Sequence, residues 1–411
     1  MCADWRNESH LNTLTKRIDA AKKIDPSGKV TFQGLDYFDA LAALLTAINL
    51  DISVPRIERV GIVRAGLRSA AKQGAITKET AIGEISKAEQ AFLVAPRRSF
   101  VIRSSLTMPY RDQLRSRHIE ESRIHFSLGH PKRFDIAPLE SQYNRYFAQA
   151  LRLRYVAMRV TVQERSPLAA GECALDDIDL LRSIWNLFWN LRLGFRMSQV
   201  PKPINVILRG PIHTIHDSTG QLACEDVFYE AYGEEPPKPA IISNHWDKCE
   251  RFEQRCRLRI QRCAYSDALK RCLRLYVRAM DQWDYGQAFV GLWTSLEALT
   301  NTPRAKYDIT VKRAAFLSKD YEFDVATLLH LRQVRNDTIH HGVNNYDGEA
   351  LVFQLKRFVE ALIRYHILNR CAFESIDDAC EQLDMPAGIK QLNRKRNFVR
   401  RALRFRSKWR I

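Results

Sequence analysis

Leu331-Arg332-Gln333-Val334-Arg335-Asn336-Asp337-Thr338-Ile339-His340-His341-Gly342 reads as the last turns of a helix closed by a glycine. An apolar helical period follows it. Another precedes it, through Leu292-Trp293-Thr294-Ser295-Leu296-Glu297-Ala298-Leu299, with one acid, Glu297, on an otherwise apolar surface. Around these stretches helical spacing runs from about Trp246 to Asn301, from Asp324 to His341 and from Glu349 to Arg370. Asp324 and Asp347 are the expected N-caps of the last two. Residues 241–372 therefore read as an all-α bundle.

Outward from the bundle the signal changes. Gly233-Glu234-Glu235-Pro236-Pro237-Lys238-Pro239 sets three prolines in four residues, which suits a stiff linker over 233–240 and neither helix nor central strand. Residues 1–232 read as a mixed α/β region. Leu35, Phe38, Leu41, Leu45 and Ile48 recur at helical spacing, as do Ile82, Ile85, Ala88 and Phe92. Residues 123–128, 158–162 and 204–208 read as strands. Between the last two, Ile178, Leu181, Trp185 and Phe188 mark an amphipathic helix with Gly194 as its terminator. The expected fold class is α+β, with an N-terminal α/β region, a C-terminal helix bundle and a basic extension over 373–411.

In that extension Phe398, Ala402, Phe405 and Trp409 share one helical face, and Arg394, Lys395, Arg396, Arg400, Arg401 and Arg404 spread over the rest. Such a helix can dock its apolar stripe on the body and offer cations to phosphates, lie on an anionic membrane surface, or be a packed terminal helix with solvated charge, with the membrane ranked last. The whole chain has 64 Lys+Arg against 47 Asp+Glu, a formal net charge of +17, so polyanionic partners are favoured and nucleic acid leads them. No apolar run approaches a membrane span, and the start lacks a signal-peptide core, so a cytoplasmic protein off the membrane is expected. Nine scattered cysteines without Cys-x2-Cys indicate reduced thiols; Cys249, Cys256 and Cys263, seven apart, read as core packing. His213-x2-His216 with Asp217 is a metal-ligand spacing, but Gly210-Pro211 places it in an expected loop and no metal is assigned there.

Arg335 and His340 are the residue types that metal-independent RNA cleavage needs. A His near neutral pKa moves a proton to or from a ribose 2′-OH or a leaving oxygen. An Arg forks onto phosphoryl oxygens as negative charge builds there. Five residues on a straight helix turn about 500°, so the two side chains stand roughly 140° apart. Asn336 and His340, four apart, share a face. Either the last turn unwinds to swing His340 round, or two copies of the helix build the site across a dimer axis. The bland alternatives are an Arg335 paired with Asp337 or Glu297, and a His340 or His341 that caps the helix end.

The Val334–Gly342 motif, with the Leu292–Leu299 helix ahead of it, resembles the HEPN superfamily of Arg-x4-6-His ribonucleases. Its ApeA-type branch, from bacterial and phage-defence proteins, is the most similar. The resemblance covers the C-terminal third to two-fifths of the chain. It implies a homodimeric, cytoplasmic endoribonuclease with paired motifs at a two-fold interface. The 2′-OH attacks the adjacent phosphorus and leaves a 2′,3′-cyclic phosphate, so neither metal nor cofactor is required. His340 handles protons, with His341 the second candidate, Arg335 steadies the phosphorane, and Asn336 orients the histidine or the phosphate. Glu297, buried near Arg335, fixes that Arg. The expected partner is RNA, tRNA or mRNA, with a phage-derived trigger and residues 1–232 as sensor by analogy. The alternative is a non-catalytic HEPN-like module that binds nucleic acid or nucleotide.

Overall fold

A computed structural model describes residues 3–111, 114–195, 202–230, 232, 237–240, 245–302, 307–341 and 348–407, with the side chains of 307 and 339–341 left aside. The fold is α+β, with a helical C-terminal region. The chain forms two compact units. The first comprises Met1–Ser105, Tyr110–Leu175 and Gly210–Pro236; the second comprises Leu106–Pro109, Asp176–Arg209 and Pro237–Ile411. One division thus falls among the prolines, but residues 176–209 fold with the C-terminal helices rather than with the N-terminal region to which a single cut at 232 assigns them. No helix among the described residues is long and apolar enough to cross a membrane.

The first unit opens with β1 (Asp4–Trp5), α1 (Leu11–Ala20), β2 (Lys22–Ile24), β3 (Val30–Phe32), α2 (Leu35–Ala47), β4 (Ile48–Asn49), α3 (Arg56–Gln73) and α4 (Lys78–Val94). Leu11, Ile18, Leu44, Val63, Leu67 and Ile85 form the centre of its helical core. Gly66 lets α3 and α4 approach, because a Cβ there would sit 2.6 Å from the Ile85 backbone. On α2 the buried face is Tyr37, Ala40, Leu41, Leu44 and Ala47. Leu35 and Phe38, expected inside, are 81% and 53% exposed, because the small residues Ala40 and Ala47 take the inner face.

The unit then builds β5 (Arg98–Leu106), β6 (Arg117–Ile119), β7 (Ser122–Ser127), α5 (Ala137–Arg152), β8 (Val156–Glu164), the start of α6 (Pro167–Asn190), β9 (Ile212–Asp217) and β10 (Phe228–Tyr229). The sheet order is β10-β9-β5-β8-β7-β6. Strands over 123–128 and 158–162 form as expected, paired His125 to Arg159 and Phe126 to Met158. The strand expected over 204–208 does not form. Its N–H groups go instead to the Met280 carbonyl, to Asn186 Oδ1 and to Thr107 Oγ1. Those polar partners satisfy the backbone and displace a sheet ladder. The stretch read as a loop around His213 is strand β9, pairing with β5 from Phe100–Asp217 to Arg103–Thr214.

In the second unit α6 continues to Asn190, followed by α7 (Trp246–Gln261), α8 (Ser266–Met280), α9 (Tyr285–Leu299), α10 (Tyr307–Ala315), α11 (Tyr321–His341), α12 (Gly348–Leu368), α13 (Ile376–Leu383) and α14 (Ile389–Ser407). The helix expected over 178–189 starts earlier, at Pro167, where Ser166 Oγ accepts from the Ala169 N–H. It is buried on all faces over 177–188 rather than amphipathic, since Asp179, Arg182, Ser183 and Asn186 are as enclosed as Ile178 and Trp185. The N-cap of α11 is Asp320, which accepts from the Phe323 N–H; Asp324 lies inside the helix and pairs with Arg357. Asp347 and Gly342 lie outside the described residues.

The extension over 373–411 divides in two. Ala379, Cys380 and Leu383 of α13 are buried, and Asp384 accepts from Arg313 Nε and Nη2 at 2.8 and 2.6 Å. By contrast α14 buries no residue. Cys249, Cys256 and Cys263 are buried as expected, and burial pushes the Cys256 thiol up to about 12, which leaves it unreactive.

Candidate active site

The end of α11 is positioned by the apolar face of its own helix. Leu328 and Leu331 are fully enclosed and Val334 nearly so. Thr338 donates from Oγ1 to the Val334 carbonyl at 2.9 Å, and its methyl lies 3.7 Å from where a Cβ on Gly286 would stand. A Cβ on Gly348, which opens α12, would stand 3.1 Å from the Tyr285 Cβ. The C-terminal turns of α11 thus meet the N-terminal turns of α9 and α12 at one end of the bundle. Asp284 caps α9 there by accepting from the Gln287 N–H at 2.7 Å.

At this end Arg335 is half-buried and donates from Nη1 to Asn336 Oδ1 at 3.3 Å. One turn back, Arg332 pairs with Asp308 at 2.6 Å, and Gln333 donates to Asp337 Oδ1 at 2.9 Å. Of the two acids read as bland partners of Arg335, Asp337 accepts from Gln333 and Glu297 accepts from Trp293. Helix α11 continues through His340 to His341, so the last turn does not unwind to carry His340 toward Arg335. On a continuous helix the backbone positions 335 and 340 lie roughly 140° apart around the axis. The side chains of His340 and His341 lie outside the described residues.

Glu297 is not brought to Arg335. It accepts from Trp293 Nε1 at 2.8 Å within α9. Helices α9 and α12 run parallel, with Tyr285 beside Gly348 at one end and the Leu299 carbonyl beside His366 at the other. Helix α11 runs against them. Taking Gly286 as level with Thr338, Glu297 sits on the order of 12 Å along the axis from Arg335 at 1.5 Å per residue. The Leu-Glu-Ala-Leu period marks the buried face of α9 correctly, but distance along the helix separates its acid from Arg335. The tail cations Arg394, Lys395, Arg396, Arg400, Arg401 and Arg404 are all exposed on α14, and Arg394 lies 5.6 Å from the Phe398 ring. The apolar stripe is not docked: Phe398 and Phe405 are 53% and 63% exposed.

A second polar constellation has no counterpart among the sequence motifs. Arg182 is fully enclosed and donates to Asp179, Asp281 and the Ile207 carbonyl. Burial alone would raise the Asp179 carboxyl, but the Arg209, Arg182 and Arg278 guanidiniums outweigh it and hold it well below the carboxylate range. The network continues through Asn205, Asn190 and Tyr276 to Glu360, which also accepts from Lys356 at 3.1 Å. It joins α6, α8 and α12 and is structural in character, its centre at Asp179, Arg182, Asn190, Asn205, Tyr276 and Glu360 being enclosed and hydrogen-bonded while Arg278 and Asp281 reach its edge. The recurrence of Asp179, Arg182, Asn186 and Asn190 at steps of three and four was the available signal.

His213 and His216 cannot share a metal from β9, because residues three apart on a strand point to opposite faces. His213 Nδ1 is 2.7 Å from Ser104 Oγ, whereas His216 meets Thr214 Oγ1 at 2.8 Å and the Gly220 carbonyl at 3.0 Å. Comparison with family models, with curated proteins and with solved structures finds no match for this chain.

Proposed function

We propose that the chain is a metal-independent endoribonuclease of HEPN type, with Arg335, Asn336 and His340 of α11 as its working residues and His341 as the second candidate base. The observation that carries this reading is the placement of Arg335 and Asn336. They sit hydrogen-bonded to each other where α11, α9 and α12 converge, with His340 one further turn along the same helix. There Arg335 stabilises the charge of the pentacoordinate phosphorus, and the histidine passes protons between the 2′-OH and the leaving 5′ oxygen. Glu297 has no part in this chemistry; it holds Trp293. Because Arg335 and His340 diverge around a continuous helix, the reading includes a homodimer in which two α11 ends face each other. Helix α14, with eight cations, no acid and no buried residue, supports RNA as the partner. A cytoplasmic antiviral or toxin role, with a phage-derived trigger, follows the same resemblance.

The test is cleavage of total RNA by the full chain and by Arg335→Ala and His340→Ala. Each substitution should lower the rate by about 10²–10⁴-fold while the melting temperature stays near the parent's. Parental rates in both variants would place the activity elsewhere. RNA binding without cleavage in the parent would leave the non-catalytic binding module as the correct reading.

A further inference from the structure

One face of the six-stranded sheet carries arginines that form no ion pair among the described residues. Residues two apart on a strand share a face, and cross-strand partners do too. Arg103 and Ser105 of β5, Ile212, Thr214 and His216 of β9, and Ala157 and Arg159 of β8 therefore point to one side. Helix α5 and the turn at 128–130 cover that side and leave a cavity of about 310 Å³. Its floor is Arg103, Ser105, Ala157, Ile212 and Thr214; Phe147 and Leu151 form one wall and His130 another.

Arg103 is the centre of this cavity. It reaches the Phe134 carbonyl at 3.4 Å and lies 5.7 Å from the Phe147 ring, yet no carboxylate comes within ion-pair distance among the described residues. Neither Arg159 nor Arg133, which both lie against Phe134, has a carboxylate partner there. Glu140 acts on Arg103 only from a distance, against the burial that lowers its guanidinium. Burial, then the positive charges of Arg103 and Arg159, push His130 down to about 3, so its ring is neutral at physiological pH. Its buried Nδ1 meets no hydrogen-bond partner among the described residues. A half-buried cation without a counter-ion is costly, and a pocket that keeps one is complementary to an anion. Away from Arg103 the rim is apolar: Leu128 and Leu151 are 77% and 82% exposed.

We infer that this cavity binds a small phosphomonoester carried on a flat apolar body, its phosphate paired with Arg103 beside Thr214 and Ser105 and its body laid against Phe147 and Leu151. The Arg103 guanidinium with the hydroxyls of Ser105 and Thr214, and the further positive charge of Arg159 and Arg133 behind Phe134, favour a dianionic phosphate over a carboxylate, and the volume admits one ring system with its phosphate. All lining residues belong to the first unit, so the inference stands independently of the α11 reading.

Titration calorimetry of the full chain with phenyl phosphate, inorganic phosphate and benzoate tests it. Phenyl phosphate should bind saturably, one per chain, and more tightly than either of the others. Arg103→Gln should weaken it about tenfold or more, the loss of a charge-assisted hydrogen bond. Leu151→Glu places an acid at the exposed rim, spares the fold and should weaken phenyl phosphate similarly. It keeps the test decisive should Arg103→Gln fail to fold. No saturation at millimolar phenyl phosphate, equal affinity in Leu151→Glu, or benzoate bound as tightly would overturn the inference.

Discussion

Replacing Lys356 by methionine probes the network that ties α12 to α6 and α8. Lys356 and Glu360 are 5% and 4% exposed, with Nζ 3.1 Å from Glu360 Oε2 and 2.6 Å from the Asn190 carbonyl. Burial already raises the Glu360 carboxyl, and Lys356 and the Tyr276 hydroxyl oppose the rise. Without Lys356 the carboxylate has two routes. Staying ionised in the core costs about 3–5 kcal/mol. Taking a proton at pH 7 costs about 3.5 kcal/mol, at about 1.4 kcal/mol per pH unit above an ordinary glutamate. The cheaper route caps the loss, so Lys356→Met should destabilise by about 3–4 kcal/mol at pH 7. In the folded variant Glu360 binds its proton before the unfolded chain does, so the deficit shrinks as pH falls, to about 1 kcal/mol near pH 5. Lys356→Met with Glu360→Gln removes the orphaned charge, keeps an acceptor for Tyr276 and should recover most of the stability. Urea unfolding at the two pH values reads these differences. A deficit under about 1 kcal/mol at pH 7, or one independent of pH, would refute the reasoning.

Other outcomes follow from single side chains. His366 donates from Nε2 to the Leu299 carbonyl, so its neutral Nδ1 accepts from the Tyr265 hydroxyl; burial holds it at about 4. Between about 6.5 and that value the unfolded chain carries a proton that the folded chain lacks, so stability should fall as pH drops through this window, by about 3 kcal/mol in all. His366→Gln should flatten that slope in denaturant titrations, and an unchanged slope would exclude His366 as its source. Glu297→Gln keeps the acceptor for Trp293, so RNA cleavage should stay within about twofold of the parent; loss of activity would bring Glu297 back to the site. Deleting residues 392–411 should leave the melting temperature unchanged, since α14 buries nothing, and should lower the salt slope of RNA binding by about 0.7 for each phosphate that the tail no longer neutralises. An unchanged slope would mean that the tail does not touch RNA.

The sequence carried the periodic elements best. The strands over 122–127 and 158–162 alternate because one sheet face is more polar, and α8, α9, α11 and α12 keep helical apolar stripes because each packs one face inward. It misled wherever side chains took over backbone duties. The apolar run at 204–208 reads as a strand, yet Asn186 and Thr107, both distant in sequence, supply its hydrogen-bond partners. The His213 strand hid behind Gly210-Pro211, which end the preceding segment rather than mark a loop. Within the candidate site, spacing along one helix was readable, and so was Arg335 beside Asn336. The position of Glu297 was not, because the sequence does not give the axial register between α9 and α11. The Arg103 cavity needs three strands and α5 to assemble, and no local pattern announces it.

The most direct measurement incubates the full chain with total RNA in excess EDTA and determines the chemistry of the new ends. A 2′,3′-cyclic phosphate paired with a 5′-hydroxyl, formed in EDTA by the parent and lost in Arg335→Ala, is the predicted result. Cleavage that needs added Mg²⁺ or Mn²⁺, or that leaves 3′-hydroxyl ends, would contradict transesterification by α11.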